Sequence, residues 1–134
     1  MRTITFYSYK GGVGRTLTLA NIAHYLSRLG QRVVALDLDL EAPGLHYKLP
    51  PAADRDSGGV VDLIEAFLAN GSVDVAPALH RVNQQALGEP GSIAIVPAGL
   101  RGDRYWQRVS RIPWHRFLVG PTEAERESLS VDRR

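Results

Sequence analysis

Tyr9-Lys10-Gly11-Gly12-Val13-Gly14-Arg15-Thr16-Leu17 is the stretch whose reading decides the fold. Upstream, Thr3-Ile4-Thr5-Phe6-Tyr7-Ser8 is β-branched and aromatic and stops at the glycines, so residues 2–8 read as a buried strand. Downstream, Leu19, Ala20, Ile22, Ala23, Leu26 and Leu29 recur at helical spacing until Gly30, so residues 15–29 read as a helix. Then Arg32-Val33-Val34-Ala35-Leu36-Asp37-Leu38 stays apolar until an acid ends it, as suits a parallel strand covered on both faces. Strand, glycine loop, helix and strand make a βαβ unit over residues 2–38, with the right-handed crossover that such units adopt.

A loop between a strand and a helix aims backbone N–H groups at the positive end of the helix dipole, which suits an anion. Gly11, Gly12 and Gly14 admit phosphate oxygens close to the backbone because they carry no Cβ. Arg15 stands where a cation neutralises the β- and γ-phosphates, and Thr16 where a hydroxyl ligates Mg²⁺. The strict phosphate-loop pattern fails at two places: Tyr9 replaces its first glycine and Arg15 its lysine.

As a whole, Lys10-Gly11-Gly12-Val13-Gly14-Arg15-Thr16 resembles the deviant Walker A motif of the ParA/MinD group of ATPases, in the form whose second lysine is arginine. The resemblance implies nucleotide binding by Gly11, Gly12, Val13, Gly14, Arg15, Thr16 and Leu17, with ATP and Mg²⁺ as ligands. It makes Lys10 the signature lysine that reaches the nucleotide of a second copy across a dimer interface. Asp37-Leu38-Asp39 matches the family's Asp-x-Asp element, with Asp39 positioning the attacking water and Asp37 meeting Mg²⁺ through water. Ile93-Ala94-Ile95-Val96-Pro97-Ala98-Gly99 is similar to the family's third strand with its Pro-Ala-Gly ending. Leu17 takes the place of a second threonine, and Leu40-Glu41 follows the Asp pair where many members have Pro-Gln. The fold expected is a three-layer α/β domain of the P-loop NTPase type with a mainly parallel sheet, incomplete because too few strands are found.

Elsewhere the chain is read from pattern alone. Residues 40–59, with three prolines and three glycines, read as a long loop, and Val60 to Ala69 as a helix stopped by Asn70-Gly71. A weaker helix is expected over 73–86, a strand at Ser92–Val96, and a helix from Leu100 to Ile112 interrupted by Pro113. Residues 1–117 are expected to form the domain and 118–134 a polar, disordered tail. With 134 residues, 44% hydrophobic and 22% charged, the composition is that of a globular chain and excludes collagen-like and coiled-coil classes. No apolar run approaches a membrane span and no secretory leader opens the chain, which points to the cytoplasm. Zero cysteines exclude disulfides and a thiol nucleophile, and His24, His46, His80 and His115 lack metal-ligand spacing.

Net charge is +2, but residues 1–100 carry 8 Lys+Arg against 9 Asp+Glu, and residues 101–134 carry 8 against 5. Arg101, Arg104, Arg108 and Arg111 share one face of the expected last helix, with Tyr105, Trp106, Trp114 and Phe117 nearby. That stripe suits a nucleic acid or an acidic membrane, or else a solvated helix face over core aromatics. Three further readings compete at the loop. One is a tight turn with no ligand. Another is a dinucleotide fingerprint, with Asp37 as the ribose acid but Leu17 where its third glycine belongs. The last is a nucleotide-binding module without turnover, since no apolar strand ending in an acid follows residue 97. The leading expectation is Mg²⁺-dependent ATP hydrolysis driving a dimerisation switch that acts on a partner protein.

Overall fold

A computed structural model describes residues 1–52, 58–83, 90–99 and 104–115. The elements in chain order are helix α1 (Arg15–Arg28), strand β1 (Arg32–Leu36), helix α2 (Leu45–Lys48), helix α3 (Val60–Asn70), a 3₁₀ turn (Ala76–Ala78), strand β2 (His80–Arg81), strand β3 (Ser92–Val96) and helix α4 (Tyr105–Arg111). The sheet runs β1-β3-β2. β1 and β3 pair in parallel, Arg32 opposite Ser92 and Leu36 opposite Val96, and β2 joins antiparallel with His80 opposite Ile95.

Alternation along the central strand builds the two sides. Ile93 and Ile95 point into a core with Ala20 and Ala23 of α1, Ala35 of β1, and Leu45 and Leu49 at α2. Val96 packs on the other side with Val60 of α3 and Ala78. The α1 face is lined by alanines, which lets the helix sit close to the strands. Gly91 makes the tightest approach: its N–H donates to the Ser27 carbonyl at 3.0 Å, and a Cβ there would strike the Ser27 and Gln31 carbonyls.

Pro97-Ala98-Gly99 carries the chain out of β3 and past the start of α3. The carbonyls of Pro97 and Ala98 accept the N–H groups of Val60 and Val61 at 2.8 and 2.9 Å, satisfying donors that open the helix. Asp62 reaches back to the Gly59 N–H at 2.7 Å. A Cβ on Gly59 would lie 2.6 Å from the Pro97 carbonyl, so the junction closes only around glycine. The segment thus fixes α3 against the sheet.

Several expectations need correction. Residues 2–8 form no strand and are largely exposed, with Ile4 at 59% and Tyr7 at 81%. A strand exists only where a neighbouring edge pairs with it, and among the described residues no strand pairs with this segment, so the βαβ unit expected over 2–38 is not found there. The helix expected over 73–86 is instead a 3₁₀ turn followed by β2, as far as residue 83 is described. Pro77 sits at the start of that turn, and the edge of β3 offers hydrogen bonds to His80 and Arg81. The loop at 40–59 contains the short α2. The helix expected from Leu100 is described from Tyr105 and ends at Arg111 before Pro113; residues 100–103 and the tail at 118–134 lie outside the described residues.

Candidate functional site

The glycine loop leads directly into α1. Gly14 is the N-cap residue at φ 82°, with no side-chain cap and no acidic residue in the first turn. Gly12 has φ 75°. Both angles lie in the left-handed region that a Cβ disfavours. A Cβ placed on Gly11, Gly12 or Gly14 would meet nothing within 4 Å, so the loop backbone faces open space. An uncapped helix N-terminus behind an open glycine backbone fits an anion, since only a ligand or water remains to meet those N–H groups.

Five side chains in and after the loop differ in exposure. Lys10 and Leu17 are exposed, as is Val13, and Thr16 is half-buried in the first turn of α1. Arg15 folds back over the loop's base, where Nη1 donates to the Ser8 carbonyl and Nη2 to Asp39 Oδ2 at 3.1 Å. That ion pair is part-exposed, 33% at the arginine and 36% at the aspartate.

The two aspartates after β1 have separate tasks. Asp37 is 6% exposed; its Oδ1 accepts the Asp39 N–H at 3.2 Å, and its Oδ2 accepts the N–H groups of Gly44 and Leu45 at 3.2 and 3.1 Å. These three bonds occupy most of the roughly four acceptor sites of a carboxylate. Asp37 therefore pins the turn that starts α2, and its acceptor capacity toward an ion is small. Asp39 Oδ1 accepts the Ala42 N–H at 3.1 Å, and its other oxygen faces Arg15. Among the described residues, no group of three His, Asp or Glu side chains forms a metal cluster.

These features agree with what the chain resembles. The family model for the CobQ/CobB/MinD/ParA nucleotide-binding domain matches residues 4–97, which is more than half the chain. The protein belongs to that family. A chromosome-partitioning ATPase, Soj, of Thermus thermophilus is 34% identical over 103 residues, covering 75% of this chain and 40% of its own. An ATP-binding protein of Methanocaldococcus jannaschii is 40% identical over 68 residues, 40% of this chain and 26% of its own. A MinD-type septum site-determining protein of Oltmannsiellopsis viridis is 51% identical over 39 residues, 29% of this chain and 12% of its own. The chain thus spans well under half the length of these relatives. No solved structure matches it significantly. The domain is a ParA/MinD-type nucleotide-binding domain with a mixed, mainly parallel sheet.

The basic face expected on the last helix is not continuous. Arg108 turns toward α3, where Nη2 donates to Glu65 at 2.6 Å and to Asp62 at 2.7 Å, and Nε donates to Glu65 at 3.1 Å. Hydrogen bonding to Glu65, against partial desolvation and with help from Asp62, raises the guanidinium pKa well above its ordinary value. Arg104 and Arg111 remain exposed, and Arg101 lies outside the described residues. One link was not signalled by any motif: the Tyr105 hydroxyl donates to the Leu40 carbonyl at 3.0 Å, tying α4 to the segment after Asp39. Its signal in the sequence is faint, an amphipathic tyrosine at the start of a helix capped by Ile112.

Proposed function

We propose that this domain binds ATP at the glycine loop and hydrolyses it with Mg²⁺, and that nucleotide binding controls association of two copies. The observation that carries the reading is the open backbone of Gly11, Gly12 and Gly14 running into the uncapped N-terminus of α1, with Arg15 over its base. The loop N–H groups bind phosphate oxygens, and Arg15 neutralises the β- and γ-phosphates. Thr16 is the residue that would hold Mg²⁺, whose charge neutralises phosphate oxygens during transfer. Asp39, once clear of Arg15, orients water for in-line attack, and the exposed Lys10 reaches the nucleotide of a second copy, as the likeness to the family implies. Soj is named for chromosome partitioning and the Oltmannsiellopsis relative for septum placement; a partner protein and a positional task in the cell follow from that likeness.

Titrating a fluorescent ATP analogue with and without Mg²⁺, then measuring phosphate release on the same sample, tests the reading. Mg²⁺-strengthened binding with release that falls in Lys10→Ala is the expected result; no binding defeats the proposal. Binding without release above the Lys10→Ala level establishes a second reading, a nucleotide-binding module without turnover. One observation favours that reading: Asp39, the candidate for orienting water, is engaged by the arginine that replaces the usual lysine. The engagement of Arg108 by Glu65 and Asp62 counts against a nucleic-acid or membrane role for α4.

A further inference from the structure

The pair between Arg15 and Asp39 has a consequence for how the site takes up its ligand. A guanidinium fork binds carboxylates and phosphates through the same geometry, so the two anions compete for it. Arg15 uses its two ends differently: one holds the Ser8 carbonyl within the loop's own base, and the other holds Asp39 across 24 positions of sequence. A lysine has a compact point charge without that fork and is less suited to span both groups in this way. Both partners are about one-third exposed, so solvent and ligand reach the pair and its opening is cheap.

We propose that Asp39 is an internal competitor of phosphate for Arg15, a latch that nucleotide opens. The proposal rests on the nucleotide-binding reading above and deepens it. When a phosphate takes the Nη2 end of Arg15, the contact with Ser8 remains as the pivot and the Asp39 carboxylate is released. Its other oxygen holds the Ala42 N–H, and the next residue, Leu40, accepts the Tyr105 hydroxyl. Release therefore frees the carboxylate beside the phosphates and loosens the 39–42 turn that leans on α4. In this arrangement the arginine serves as a relay between phosphate and the segment after β1.

Affinity for a fluorescent ATP analogue, measured in EDTA so that no metal bridges Asp39 to phosphate, tests this in the wild type, Asp39→Asn, Arg15→Ala and the double variant. Asn keeps an oxygen for the Ala42 N–H while removing the competing charge. The expected result is roughly two- to fivefold tighter binding in Asp39→Asn, the range that a part-exposed ion pair of this kind is worth. The gain disappears in the Arg15→Ala background. If the gain is the same size in that background, removal of a negative charge near phosphate explains it and the latch is overturned. Wild-type binding with no gain in Asp39→Asn overturns the latch alone, whereas no binding by any variant defeats the nucleotide reading and the latch with it. Should Arg15→Ala fail to fold by circular dichroism, Arg15→Gln serves in the cycle.

Discussion

Gly11 and Gly14 separate two roles that glycine plays in one loop. Gly14 sits at φ 82°, so Gly14→Ala adds strain of about 1 kcal/mol as well as a Cβ facing the anion cradle. Gly11 has no positive φ and an open surrounding, so Gly11→Ala leaves stability unchanged and lowers nucleotide affinity alone. Thermal melts beside a nucleotide titration check the contrast; equal melting temperatures for the two variants would contradict it. Asp37 is the opposite kind of residue, because its carboxylate is spent inside the chain. Asp37→Ala leaves the buried N–H of Leu45 and the N–H groups of Asp39 and Gly44 without their acceptor, costing about 2–3 kcal/mol in urea unfolding. The likeness to the ParA/MinD group gives Asp37 a water-mediated place beside Mg²⁺, while the i, i+2 spacing puts it on one face of an extended chain with Asp39. β1 ends at Leu36, and the turn into α2 brings the Gly44 and Leu45 N–H groups to the Asp37 carboxylate.

Helices α3 and α4 meet through an ion cluster and a core. Val61, Ala98, Tyr105 and Ile112 supply the apolar part, and Arg108 with Glu65 and Asp62 the polar rim. Glu65 is nearly half exposed at 43% of its side chain, so the rim contributes modestly. A double-mutant cycle on Arg108→Ala and Glu65→Ala is expected to give a coupling of about 0.5–1 kcal/mol, reduced by added salt. Tyr105→Phe keeps the ring and removes the bond to Leu40, with an expected cost of about 1 kcal/mol in the same unfolding assay. What was legible at this scale follows from how local each element's cause is. α1, α3 and β3 carry their own periodicity and stop signals, and Gly71 closes α3 at φ 69° as its Asn-Gly ending predicts. Residues 2–8 and 73–83 have patterns that only a sheet edge can arbitrate. α2 begins where Asp37 accepts two N–H groups from seven and eight residues away, a side-chain contact that hydrophobic periodicity does not register.

The sheet order leaves β1 with β3 on one side and no strand on the other among the described residues. Its two faces differ: Ala35 is buried under α1, whereas Val34 is 62% and Leu36 45% exposed on the opposite face, which α3 covers at Val96 of β3. Parallel strands are ordinarily covered on both faces, and an apolar open edge is a template for pairing between molecules. Charge placed on the open face should therefore cost little and discourage association. Val34→Lys is expected to keep the unfolding free energy within about 0.5 kcal/mol of wild type and to lower light scattering at high concentration. Ala35→Lys, one residue on, forces an ammonium into the α1 core and unfolds the chain. Hydrogen exchange gives the independent check: amides of Ile93 and Ile95 exchange slowest, while those of residues 2–8 exchange at nearly unprotected rates. Protection of residues 2–8 equal to that of β3, or unfolding by Val34→Lys, would mean that the face is covered in solution. The exposure of β1 and the exposure of residues 2–8 would then have one shared explanation, a strand pairing that joins them.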